Sequence, residues 1–204
     1  MKALLFTIFL TFPVMGFSLG PASYTSLNLP DSDRGTDPGF SLFINPLGFI
    51  QFGPFMGVEI PLKGNVVLNA HTRISSLGLL SYVVRGEDVD KISGYCLGAG
   101  PVVLLGEGQN RPYLGMLIEY DKADALYHKG ASNERTNREH NIAFFFNGGY
   151  RFRFSSGFFV STGAFLGVAR TTWTEDYTDP DREDEEDGGI RPFGMFEVTL
   201  GLEF

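Results

Sequence analysis

Residues 193–204, the end of the chain, read FGMFEVTLGLEF. Phe196, Val198, Leu200, Leu202 and Phe204 fall on one side of an extended chain, because successive side chains of a strand point to opposite faces. Met195, Glu197, Thr199, Gly201 and Glu203 fall on the other. A helical period would scatter these apolar residues around a cylinder, so the stretch reads as a strand. One of its faces is bulky and apolar, and the other mixes acid with glycine.

The same grammar recurs upstream. In residues 141–154, NIAFFFNGGYRFRF, Ile142, Phe144, Phe146, Tyr150, Phe152 and Phe154 oppose Asn141, Asn147, Arg151 and Arg153. In residues 65–75, NVVLNAHTRIS, Val66, Leu68, Ala70, Thr72 and Ile74 oppose Asn65, Asn69, His71 and Arg73. Counting such runs between turn signals gives eight, at 39–51, 54–62, 65–75, 94–105, 111–121, 141–154, 157–172 and 191–204. The links at Lys63-Gly64, 106–110 and Ser155-Ser156 are short, whereas 76–93, 122–140 and 173–190 are long. Short turns therefore share one end of the sheet and long loops the other, except for a tight first link near Phe52-Gly53-Pro54. Pro101 falls inside the fourth run and lacks a ladder donor, which predicts a bulge or a missing bond there.

Alternation alone fits two closed sheets with opposite faces inward. A soluble lipocalin-like barrel buries its bulky face, and a membrane barrel turns that face to lipid. Face composition separates them. Gly57, Gly98, Gly100, Gly115, Gly149, Gly163, Gly167 and Gly201 share the polar face with Glu59, Glu119, Glu197, Arg73, Arg151 and Arg153. Glycine weakens strands, so a glycine-rich face needs a crowding reason, and the narrow interior of an eight-stranded barrel supplies one. Phe152, Phe154, Phe158 and Phe204 lie near the short-turn ends of their strands, with Tyr120 and Trp173 near the other ends, as aromatic girdles require. The expected fold is all-β, a single closed eight-stranded antiparallel transmembrane β-barrel. Closure brings acids and bases together, and an unpaired buried ion costs several kcal/mol. Glu59, Glu119 and Glu197 are therefore expected to meet Arg73, Arg151 and Arg153 in an internal network that plugs the lumen.

The chain begins MKALLFTIFLTFPVMGFSLG, a base followed by a short apolar run and small residues, which is the order of a cleavable secretory signal. Residues 1–18 read as that signal, with cleavage after Ser18 or Gly20, 19–38 as a flexible periplasmic segment, and 39–204 as the barrel. The single cysteine, Cys96, falls inside a strand and reads as a packing residue.

On these marks, an export signal, eight strands and a terminal aromatic, the chain resembles small bacterial outer-membrane barrels of the OmpX, OmpA transmembrane-domain and OmpW kind. The resemblance implies location in the bacterial outer membrane and contact with its lipids. It also implies that Phe196, Val198, Leu200, Leu202 and Phe204 form the signal recognised by the outer-membrane barrel assembly machinery, an expected partner. In OmpW-like barrels an apolar lumen is associated with passage of small hydrophobic molecules. Here Phe43, Phe55, Phe145, Phe159 and Phe165 would line the inner face, shared with charged residues, and core filling is the simpler reading.

The stretch 174–189, TEDYTDPDREDEEDGG, sets nine acids against Arg182, a net charge of −8 that equals the charge of the whole chain. Such a block repels itself and stays solvated. Asp179, Asp181 and Glu183 are weak candidates for a divalent cation, because hard cations take carboxylate oxygens, but the spacing is not that of a calcium loop. Residues 121–140 balance four bases with four acids and offer no basic patch for nucleic acid. His71 is expected in the lumen beside Arg73, with His128 and His140 in a loop; neither these nor Ser81 and Ser132 make a nucleophile with an oriented base. No cofactor motif and no zinc spacing is present. The sequence thus predicts a non-enzymatic barrel whose long outer loops bind ions, surfaces or extracellular molecules. The alternative is a narrow, porin-like channel or transporter for small hydrophobic molecules or ions, with a lipid-modifying enzyme third.

Overall fold

Alternation along the last strand is realised with the bulky face outward: Leu202 is 49% exposed, while Glu197 is 8% and Thr199 3% exposed. The computed structural model describes residues 38–85, 89–132, 134–176 and 189–204. The expected signal, 1–18, and all but the last residue of the 19–38 segment lie outside these residues. Eight strands form: β1 (Ser41–Asn45), β2 (Phe55–Pro61), β3 (Val66–Ile74), β4 (Val89–Leu104), β5 (Arg111–Tyr127), β6 (Arg135–Arg153), β7 (Phe158–Asp176) and β8 (Ile190–Glu203). Each is antiparallel to the next, and β1 bonds to β8, so the strands close a ring.

The register fixes the geometry of that ring. Pairing leads from Phe43 through Gly57, His71, Gly98, Glu119, Ala143 and Ala169 to Arg191, yet Phe43 itself pairs with Gly201. The stagger is the ten residues from Arg191 to Gly201. Over eight strands it corresponds to a strand tilt of about 40° from the ring axis.

Several boundaries differ from the sequence reading. The run expected at 39–51 ends at Asn45, and the link to β2 is not tight: it spans 46–54 and opens with a 3-10 turn, Pro46–Phe49. Proline at this point has no N–H to give a neighbouring strand. β4 to β7 run further than expected, so that most of 122–140 is strand and only 128–134 connects β5 to β6. The link after β3 contains a second 3-10 turn, Ser75–Leu77, and a short helix, α1 (Leu79–Arg85). At Pro101 the missing bond, not a bulge, is found. The β4–β5 register runs unshifted from Ala99 opposite Ile118 to Val102 opposite Gly115, with Gly100 and Pro101 unpaired on that side.

Interior glycines face close neighbours. A Cβ at Gly201 would strike the ring of Phe159, which is fully buried, and one at Gly98 would strike His71 and Glu119. Gly201→Val is therefore expected to destabilise by ~1–3 kcal/mol through overpacking. Phe159→Leu in the same chain should recover part of the loss, as read by urea unfolding. Equal losses with and without the second change would show that the ring is not the obstacle.

Candidate functional site

Strand parity delivers the charged residues to one interior, and long side chains then find partners across it. Toward the short-turn end, the Arg151 guanidinium forms a two-pronged pair with Glu59, Nη1 to Oε2 at 2.8 Å and Nη2 to Oε1 at 2.6 Å. Its Nε donates to Ser161 Oγ at 3.0 Å, and its Cζ lies 4.3 Å from the Phe159 ring centre. Such a fork satisfies a buried guanidinium nearly completely. Glu197 accepts from the hydroxyls of Tyr113 and, at 2.8 Å, of Thr199.

A second cluster is centred on Glu119, which accepts from His71 Nε2 at 2.9 Å, Arg73 Nη2 at 2.9 Å and the Cys96 thiol at 3.1 Å. His71 Nδ1 lies 2.9 Å from Asn69 Oδ1. Between the two clusters Phe43, Phe55, Leu117, Phe145, Phe159 and Phe165 pack together, with Phe55 edge-on to Phe165 at 5.8 Å.

Of the six charged residues singled out in the sequence, Glu59 pairs with Arg151 and Glu119 with Arg73. The structure does not bring the six into a single network. Arg153 instead reaches Glu203 at 2.7 Å, whose Oε1 also holds the Gly39 N–H, at the foot of the ring. Tyr113, Ser161 and Glu203 are the partners the sequence reading missed. Tyr113 was findable, since its parity on β5 matches that of Glu119; nothing local marks it as the partner of Glu197.

His71 stands in the interior beside Arg73, and Cys96 is buried there. His140, expected in a loop, lies in β6 on the outward side, buried, with Nδ1 2.5 Å from the Tyr120 hydroxyl. His128 sits at the β5–β6 turn with a positive φ. Asp179, Asp181 and Glu183 lie outside the described residues.

At the end opposite the short turns the links 46–54 and 75–85 bond to one another. Leu80 N–H donates to the carbonyls of Ile50 and Gln51 at 3.1 and 3.0 Å. Phe52 from the first link packs on Phe193 at 4.7 Å, and Phe193 on Phe145 at 5.6 Å.

The ring is not uniform around its circumference. Phe204 N–H donates to the Phe40 carbonyl, so even-numbered residues of β8 face β1. The β1–β8 pairing then rises only to Ile44 opposite Leu200. The next residue of β1 placed to donate is Pro46, which cannot. Above that point the edge of β8 is met by the side chain of Gln51, whose Nε2 donates to the Phe196 carbonyl and whose Oε1 accepts the Phe196 N–H, each at 3.0 Å. One side-chain amide thus replaces the peptide that a longer β1 would have offered. Pro192 has the same parity, so the donor it lacks is one that this edge would have left facing the seam.

Outside, an apolar belt surrounds the ring. It runs from Leu105, just past β4, back to Tyr95, on β5 from Leu114 to Tyr120, and from Phe154, just past β6, back to Ile142, and all of these bounding residues are exposed. Paired rings mark its lower border, Phe40 with Phe204 at 6.4 Å and Phe154 with Phe158 at 5.7 Å. Beyond the upper border the outward residues turn polar: Lys91, Ser93, Lys122, Arg170, and Asp124 bonded to Arg138 at 3.0 Å. Tyr120 therefore lies at the border of the belt, although β5 continues to Tyr127. The residues Phe196, Val198, Leu200, Leu202 and Phe204 all lie on the belt side of β8.

The molecule is thus a closed ring of eight antiparallel strands with an ionic and aromatic filling and an apolar exterior. Among solved structures, the chain is similar to a major outer membrane protein from Thermus thermophilus, at 11% identity and a TM-score of 0.48, with 81% of this chain and 98% of that one covered. No family model and no curated protein matches.

Proposed function

We propose that this chain is an outer-membrane β-barrel, filled along its axis, that serves as a rigid platform for surface interaction at the outer face. The observation that carries the proposal is the belt. A soluble protein does not expose a continuous ring of Phe, Leu, Ile and Met flanked by aromatic borders, whereas hydrocarbon requires one. The stretch from Tyr95 on β4 to Leu105 just past it covers ~25 Å at the tilt given by the stagger, the height of an outer-membrane apolar band. Hydrocarbon also offers nothing to an open sheet edge, and the ring has almost none.

In this reading residues 1–18 direct export, the belt contacts outer-membrane lipids, and the end of β8 is read by the assembly machinery. β4 to β7 stand well above the belt, and this reading gives the segments that join strands at that end, 75–88, 128–134 and 177–189, to the medium. These are the surfaces for an extracellular ligand or a divalent cation, and we assign the chain no catalytic role. The filled interior favours this role over axial conduction. The purified protein in a planar bilayer is expected to give no steady conductance above the bare membrane. Stable ion-conducting steps would favour the channel reading. Recovery in the soluble periplasmic fraction would remove the membrane assignment altogether.

A further inference from the structure

We infer that a shallow recess on the outer wall, where β4 meets β5 just above the belt, holds the phosphorylated sugar headgroup of an outer-leaflet glycolipid. The inference rests on the reading that the belt sits in a membrane.

Strand register builds the recess. Tyr95 pairs with Lys122 and Ser93 with Asp124, and all four share the outward parity of Leu97 and Tyr120. Together with Gly94 they line a hollow of about 280 Å³, roomy enough for a sugar ring. Its lower edge is the aromatic border of the belt, Tyr95 and Tyr120, both exposed. At its upper edge Lys91 is exposed opposite Leu126. On the β3 flank stand the turn Ser75–Leu77 and α1, tied to β4 by the Tyr82 hydroxyl, which accepts the Ile92 N–H at 3.4 Å. That flank exposes Leu77, Leu79 and Val83.

These neighbours select the occupant. Among the described residues neither Lys91 nor Lys122 has a carboxylate partner, so each offers an uncompensated ammonium at the boundary between hydrocarbon and water. Such a cation at that level favours an anionic headgroup. The two lysines lie four positions apart along the strands, roughly 13 Å at the usual rise, and side chains that stand off the sheet at that spacing meet two anionic groups rather than one. Between them the Ser93 hydroxyl and Asp124, which is already bonded to Arg138 at 3.0 Å, are acceptors for neutral donors such as sugar hydroxyls. A headgroup with a single phosphate would leave one lysine unmet. The apolar flank beside the hollow suits a lipid with several acyl chains around one headgroup, and a soluble phosphosugar would make no use of it.

The test is native mass spectrometry of the full chain released from phosphatidylcholine nanodiscs. These are doped with a bis-phosphorylated diglucosamine lipid, with its dephosphorylated form, or with phosphatidylglycerol. The bis-phosphorylated lipid is expected to stay bound and the other two to be lost. Lys91→Ser and Lys122→Ser should each lower its affinity about tenfold, the effect of losing one hydrogen bond between charged groups. Lys122→Arg should keep most of the binding, which separates a lost charge from a folding defect. Lys63→Ser, which removes the same charge from an exposed turn at the foot of the ring, should change nothing.

Unchanged affinity in Lys91→Ser and Lys122→Ser, or an equal loss in Lys63→Ser, would overturn the recess as the site. Phosphatidylglycerol held as tightly as the bis-phosphorylated lipid would overturn the sugar assignment. Soluble glucosamine phosphate held as tightly would move the ligand from the membrane to the medium and overturn the inference as well. A chain that enters nanodiscs yet retains none of the doped lipid would overturn the recess and leave the membrane reading intact. A chain that never enters them would overturn that reading itself.

Discussion

Arg151→Leu is expected to lower the unfolding free energy by ~3–5 kcal/mol, the usual effect of leaving a buried partner charge uncompensated. Glu59 is 3% exposed, and both of its oxygens are taken by the Arg151 guanidinium. With that partner gone the carboxylate stays buried without the two-pronged pair that holds it. The substitution also strips Ser161 Oγ and the Phe159 face of their neighbour. The double change Glu59→Leu with Arg151→Met removes both charges and should recover most of the loss, because an ion pair replaced whole by apolar groups of similar volume is often neutral. Urea unfolding in lipid vesicles measures all three. A double variant as weak as the single one would mean that volume, not charge, is what Arg151 supplies.

Leu166→Arg is expected to cost ~2–4 kcal/mol in a bilayer, the range for a base near the midplane on the lipid face of a membrane barrel. Leu166 is 66% exposed on β7, midway along the belt, and pairs with Phe146 on one side and Gly194 on the other. On a water-facing surface so exposed a position would tolerate the change to within about 0.5 kcal/mol. The sign of the surroundings therefore decides the result. Unfolding in vesicles that shows no loss for Leu166→Arg would place this face in water.

These effects also show how far the sequence could be read. The face of each residue was legible wherever the two sides of a strand meet different surroundings. Phe144 and Leu202 went outward, and Arg151 and Glu197 inward, on parity alone. The upper parts of β4, β5 and β6 were not legible, because both of their faces are polar or small. On β5, Lys122 and Asp124 alternate with Ala123 and Ala125, which gives no hydrophobic period although the ladder to β6 is unbroken. The end of β1 could have been found: a proline following Ile44-Asn45 in a strand paired on both sides removes a donor the ring needs.

Partner choice in the interior was legible only in part. Parity states that Arg151 and Glu59 share a side, but not that they touch, since 92 residues separate them. Contacts across a ring depend on its stagger, and alternation is the same for every stagger. Arg153 illustrates the consequence. It shares the side of Arg151 but lies two residues nearer the foot of β6, where Glu203 is in reach and Glu59 is not. Gln51 was hidden for a different reason: a side-chain amide that substitutes for a peptide leaves no periodic trace.

The most direct test of the account is a nitroxide scan of β6 from Ile142 to Asn147 in lipid bilayers, reading collision with oxygen, which dissolves in hydrocarbon, against collision with a water-soluble nickel chelate. High oxygen and low nickel access are expected at Ile142, Phe144 and Phe146, and little of either at Ala143, Phe145 and Asn147. High nickel access at Ile142, Phe144 and Phe146 would contradict it.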